Sequence, residues 1–242
     1  MPVKASQSLV VKRMQRFADK WERQSDQRAI FIRCYQLMTQ NIIAALAHGD
    51  FQDSVWVGRL MKHFADYYFI ALKRYDQDPK TAPPVWRLAF DTARDPTTVV
   101  FQHLLLGVNA HINYDLVLTL DDLLVSNWIK LSESQRQIRH ADYDLVNKVI
   151  GDTIDAVQSQ IVERAIPGMW LVDKAMGPVD EWLVSHLITR WRDSVWQKAI
   201  ELIETQAQRK RATLVRQVEA VTLKRGQAIL LRRGWSALRD LV

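Results

Sequence analysis

The chain has 242 residues, 48% of them hydrophobic and 25% charged, with only 8 Gly and 7 Pro. Such a chain buries one sizeable core, is too apolar for a disordered polymer, and has few of the turn residues that a fold of many short strands needs. The net charge of +6 is uneven: from Leu187 to Val242, 12 Lys/Arg stand against 5 Asp/Glu, a net of +7, so the first 186 residues carry about −1 and the basic character belongs to the tail.

Helical periodicity runs through nearly the whole chain. A first helix is predicted from about Ser6 to Glu22, with Leu9, Val10, Met14, Phe17 and Trp21 on one stripe. A second spans about Asp26 to His48 and stops at Gly49. Asp50 or Asp53 caps a third, which carries Val57, Leu60, Met61, Phe64, Tyr67, Tyr68 and Ala71 and fades near Tyr75. The stretch Asp76 to Pro84 is a loop, and Pro83-Pro84 opens a short helix around Trp86 to Phe90. Asp95-Pro96-Thr97-Thr98 reads as a cap and first turn, launching an apolar helix to about Leu124. Another begins between Ser132 and Ser134 and passes Val162, with Gly151 as a kink point. Pro167-Gly168 and Gly177-Pro178 bracket a short segment containing Trp170. A long helix follows from Val179 to about Gln208, then a basic one from Arg209 to Leu231, with Gly234 near its end.

No segment alternates with period 2, so the expected class is all-α: a single-domain bundle over residues 1–208, with a basic amphipathic helical extension over 209–242. The single cysteine, Cys34, precludes an intramolecular disulfide and a thiolate zinc site, and in its apolar stretch reads as a small buried hydrophobe. No secretory leader is evident and no window approaches ~18 uninterrupted apolar residues, so a cytoplasmic protein without a membrane span is expected.

The informative segment is Phe101 to Leu116, whose apolar residues surround the helix and mark it as central and dry. A polar group placed there costs roughly 2–7 kcal/mol unless partners are supplied. At 100° per residue, Gln102, Asn109 and Asn113 project together, while His111 and Asp115, at i and i+4, share another side with His103 nearby. Gly107 lies between the two histidines and admits a close neighbour. A carboxylate beside an imidazole fixes its tautomer and raises its basicity, as a general base or a metal-bound imidazole requires. The plainer alternative is a hydrogen-bonded network that ties helices together.

Two further triples offer partners: His63, Asp66 and Tyr67 on the third helix, and His140, Asp144 and Asn147 on the sixth. Each by itself reads as a surface pair; convergence on one cavity would make them a site. There is no Glu-x-x-His, His-Glu-x-x-His, phosphate loop or nucleophile elbow, which leaves a mixed His/Asp/Asn zinc or manganese site as a variant. Among nine tryptophans, Trp86, Trp170, Trp182, Trp191 and Trp196 are expected to anchor the core, with an apolar ligand pocket as the second reading. Arg190 beside Trp191 pins an anionic group or pairs with an acid such as Asp193.

The run Gly107, Asn109, Ala110, His111, Asn113, Asp115 and Leu116 resembles the signature of bacterial domain-of-unknown-function family 5995. Ala65 to Phe69, Val85 to Phe90, His140 to Asn147 and Arg190 to Trp196 match more loosely, so the likeness spans about residues 50 to 200 and leaves the tail after Gln208 outside. The resemblance implies an all-helical protein and carries no activity.

The leading expectation is an enzyme for a small, largely apolar molecule. His111 is the acid/base and Asp115 orients it; His103, Asn109, Asn113, Tyr67, Trp86 and Arg190 position substrate, with His140 and Asp144 in support. The rival is an interaction protein whose basic helix, with Arg209, Lys210, Arg211, Arg216, Lys224, Arg225, Arg232 and Arg233, meets nucleic acid, an anionic membrane or a protein partner. A basic amphipathic helix more commonly docks its apolar stripe on the domain and leaves its charges in solvent.

Overall fold

Helix ends fall where the chain supplies chemistry for them. In the computed structural model, the backbone is described over residues 3–157 and 179–231, and side-chain surroundings over 8–153 and 186–231. The expectations at Pro167-Gly168, Trp170, Gly177-Pro178, Trp182, Arg232-Arg233 and Gly234 lie outside those residues. Helix α1 is Val3–Arg23 and α2 is Arg28–His48, closed by Gly49 at φ 84°, a left-handed cap that glycine adopts without a Cβ penalty. Helix α3, Ser54–Gln77, starts at Asp53, whose carboxylate accepts from Trp56 N at 2.8 Å. Asp142, 1% exposed, holds the preceding turn by accepting from the backbone N–H groups of Gln52 and Asp53. Helix α4, Pro84–Thr92, has proline in its first turn, where the missing N–H costs nothing.

The central helix departs from expectation at its start and in its middle. Asp95 accepts from Thr97 and closes a turn of its own, and α5 begins only at Val100, with Val99 N donating to Gln102 Oε1. Helix α5, Val100–Ala110, passes into a π-helical turn, His111–Asp115, and then into α6, Leu116–Leu124. Within that turn Leu116 N donates to His111 O, one residue further back than in an α-helix. The distortion falls at the polar cluster, while α7, Glu133–Val157, continues through Gly151. Helix α8 is Val179–Glu204 and α9 is Gln208–Leu231.

All the described elements are helical, with no strand among them, so the fold is an all-α bundle. The α5–α6 rod runs through its middle: α2, α4 and α9 pack on α5, α3 and α8 pack on α6, and α9 also packs on α4. Trp21, Tyr68, Trp86 and Tyr143 are the largest fully buried rings. None of the described helices is long and apolar enough to cross a membrane.

Helix α9 is part of this bundle. Gly226 faces α4 and α5 so closely that a Cβ there would lie 2.9 Å from Leu88 Cδ2 and 3.2 Å from Leu106 Cδ2. Arg211 pairs with both oxygens of Asp121 on α6, at 2.9 and 2.6 Å. Thr222, Gly226 and Ile229 are its buried residues, and Arg209, Lys210, Arg216 and Lys224 remain exposed.

Candidate active site

The i, i+4 spacing of His111 and Asp115 survives the π turn, and the two side chains meet. His111 Nδ1 lies 2.9 Å from Asp115 Oδ2, and Trp86 Nε1 on α4 donates to the same oxygen at 2.9 Å. Indole N–H only donates, so Oδ2 is an acceptor. The oxygen of a protonated carboxyl O–H accepts poorly, which leaves Nδ1 as the atom that carries hydrogen and Nε2 with a lone pair. That Nε2 has no hydrogen-bond partner, although His111 is 3% and Asp115 1% exposed.

Rings enclose the imidazole. Phe64 stacks on it at 3.5 Å and 5°, and Tyr35 stands edge-on at 4.5 Å. Phe31, Tyr68 and Trp86 complete the box at centroid distances of 5.9 to 6.2 Å. The hydroxyls of Tyr35 and Tyr68 are buried and lack partners as well. In so apolar a box charge is disfavoured: burial pulls the His111 pKa well below 6.5 and pushes the Asp115 carboxyl well above 3.8, with the Trp86 hydrogen bond opposing the latter. The two tyrosines stay protonated donors, raised by the same burial. The arrangement therefore presents one neutral imidazole nitrogen without a partner, walled by aromatic rings in a nearly dry space.

The polar residues on the other side of the central helix are engaged differently. Asn109 Nδ2 donates to Thr222 O on α9 at 2.9 Å, and Asn113 Nδ2 donates to Asn109 Oδ1 at 3.1 Å. Thr222 Oγ1 reaches Asn113 O, and Gln102 Nε2 donates to the carbonyls of Ile229 and Leu230. Asn109 and Asn113 were expected to position substrate; they face α9 instead, because an unpaired buried carboxamide is costly and Thr222 O and the Asn109 side chain satisfy it.

The outlying candidates do not join the box. Tyr67 donates to Asp122 at 2.7 Å, and His63 Nε2 lies 3.4 Å from the same carboxylate at the surface, while Asp66 pairs with Lys62. His140 and Asp144 form a half-exposed pair, 3.2 Å apart, with Trp196 4.9 Å from the imidazole. Arg190 is exposed. The buried arginine is Arg192, 2% exposed, bonded to Asn147 Oδ1 and to Tyr143 O and lying over the Tyr143 ring. Its position with Ile188, Val195 and Ala199 on one helical stripe was a readable signal that it faces inward. Likewise Phe31 with Tyr35 and Phe64 with Tyr68 repeat the four-residue spacing of His111 with Asp115, a signal that the sequence reading left unused.

Cys34 is buried, and burial raises its thiol to about 12, which makes it an inert core residue. Among the described residues no three His, Cys, Asp or Glu side chains lie together closely enough to hold one metal ion.

Fold and site together define an all-α bundle with a buried, hydrogen-bonded His–Asp–Trp cluster on its central apolar rod. The profile of the family of unknown function DUF5995 matches residues 8–232, and the chain belongs to that family. The match takes in α1 and α9, so the family pattern extends well beyond residues 50 to 200 and includes the basic helix. Neither a curated protein nor a solved structure matches the chain.

Proposed function

We propose that the protein is an enzyme acting on a small, largely apolar molecule, with His111 Nε2 as the acid/base, Asp115 fixing its tautomer and Trp86 holding Asp115. One observation carries this reading: a nine-tenths-buried imidazole nitrogen is left without a partner inside an aromatic box. A network that serves only the fold pairs its buried polar atoms, as the Asn109–Asn113–Thr222 group does. A reacting base needs an open lone pair, and a dry site that disfavours the imidazolium makes the group readier to return a proton than to keep it. Tyr35, the phenol whose ring stands edge-on to the imidazole, supplies a hydrogen bond to an oxygen on which charge develops. A metal-assisted variant would need donors from the ligand or from beyond the described residues. We place the protein in the cytoplasm, where a core with one unpaired cysteine is ordinary.

The test is turnover of a panel of uncharged alcohols, ketones and esters by wild type and by His111→Gln, followed by mass spectrometry alongside thermal melting. Wild type should convert one class, and His111→Gln should lose about 10²-fold or more of that rate while keeping its melting temperature within a few degrees. No turnover by wild type, or turnover that survives in the variant, removes the proposal.

A second reading rests on the four exposed basic residues of α9, which offer a cationic ridge to nucleic acid or an anionic membrane. Replacing Arg209, Lys210, Arg216 and Lys224 with Gln would abolish salt-sensitive binding to duplex DNA or phosphatidylserine vesicles. Wild type that binds neither disposes of this reading.

A further inference from the structure

His103 stands two turns before His111 and has an unpartnered nitrogen of its own. Its side chain is 5% exposed, and Nδ1 lacks a hydrogen-bond partner. The ring lines a small cleft between the start of α2, the inner face of α4 and Gly107, with Arg28 beside it and Trp86, Phe90, Phe31 and Tyr68 as apolar walls. Thr98 reveals which nitrogen carries the hydrogen. Its hydroxyl lies 2.8 Å from the carbonyl oxygens of both Thr92 and Asp95, which only accept, so its one proton is directed to them. Thr98 Oγ1 therefore accepts from His103 Nε2 across 2.6 Å, and Nδ1 keeps an unpaired lone pair on a ring that lines the cleft. Burial opposes the cation and lowers the pKa of this ring, Asp95 only partly offsetting it.

We infer that this cleft is a binding subsite for an uncharged molecule bearing a hydroxyl group, which donates its hydrogen to His103 Nδ1 while its apolar body rests against Trp86, Phe90 and Phe31. A lone pair selects a donor. Carboxylates and phosphates bring only acceptors to it, and the nearby Arg28 guanidinium is already engaged by Asp26 and Asp76. The free space is about 10 Å³, room for a single water, so a larger guest must displace a ring. Phe31 is that ring. It sits on Gly107 so closely that a Cβ there would fall 2.5 Å from Phe31 Cδ2, and it stands edge-on to His111 at 6.0 Å. Rotation of Phe31 joins the cleft to the aromatic box and brings the body of the bound alcohol, rather than its hydroxyl, toward His111 Nε2. That final step rests on the proposed role of His111, whereas the hydroxyl contact at His103 stands on its own geometry.

The test uses the full chain labelled with ¹⁵N-histidine and three probes of one size: benzyl alcohol, toluene and benzoate. Benzyl alcohol should bind at least about tenfold more tightly than toluene, with benzoate weakest, and it alone should move the His103 Nδ1 resonance. His103→Phe keeps a ring of similar size and should erase the advantage of the alcohol; should that variant fail to fold, the wild-type nitrogen shift decides alone. His111→Gln should keep the alcohol affinity, so that failure of turnover and failure of the subsite are read separately. No benzyl alcohol binding up to its solubility, equal affinity for alcohol and toluene, or binding that leaves Nδ1 unmoved would overturn the inference.

Discussion

The two sides of the central rod handle buried polar atoms in opposite ways. Toward α9, Gln102, Asn109 and Asn113 reach backbone carbonyls or one another, and Thr222 reaches back to Asn113 O. Toward α2, α3 and α4, His103 and His111 each have one nitrogen engaged and one open, and two tyrosine hydroxyls nearby are open too. Both sides are equally dry, so burial does not explain the difference. The paired side joins helices; the side with open lone pairs stores the desolvation cost of atoms that a guest would relieve.

The largest effect that would sharpen this contrast is on stability. Asn109→Leu leaves the Asn113 amide without its partner and removes the second bond that Thr222 O accepts beside its own helical one, so a loss of about 1–3 kcal/mol is expected in denaturant unfolding, with faster hydrogen exchange in α9. His111→Leu removes an already unpaired Nε2 and the single bond from Nδ1 to Asp115, which keeps Trp86, so about 1 kcal/mol is expected. Equal losses for the two variants would erase the distinction between the sides.

Acidity separates them next. Burial holds His103 and His111 below 6.5, while the unfolded imidazoles titrate near 6.5. The unfolded state therefore takes up more protons as pH falls through 6.5; the stability is complete above that value and is lost below it. Asp115, raised by burial, acts in the opposite sense between 3.8 and its folded value, so His103 gives the cleaner signal. Going from pH 7.5 to 5.5, the buried His103 should cost stability, and His103→Gln should flatten the melting-temperature profile. Asn109→Leu should displace the whole profile without changing its slope; a changed slope would mean that the amide side also titrates.

The smallest effect concerns the outer edge of α9. Arg211→Gln removes a part-buried bidentate pair with Asp121 and should cost roughly 1 kcal/mol or less, diminishing in high salt. A loss as great as that of Asn109→Leu would show that charge, rather than the amide ladder, holds α9.

Much of this was legible beforehand because periodicity is local. The helical class, the Gly49 stop, the Asp53 cap and the Pro84 start followed from residue types at fixed offsets. So did the division of the central segment into an amide side and an imidazole side, since angular position on a helix depends only on residue number. The start of α5 was missed because Asp95 found a nearer partner in Thr97, and the π turn was missed because its cause lies in neighbouring helices. The surface fates of Tyr67, His140 and Asp144 depended in the same way on which helix lay opposite.

What the order of residues determined by itself is the set of amphipathic rods and the faces on which their polar groups ride, because propensity, capping and spacing act within a few residues. Which of those faces became a joint, which was left with open lone pairs, and that α9 belongs to the bundle were decided only by tertiary packing. A hydrogen-bond partner is a matter of distance, and Thr222 comes within 2.9 Å of Asn109 across 113 residues of chain only once the helices have assembled.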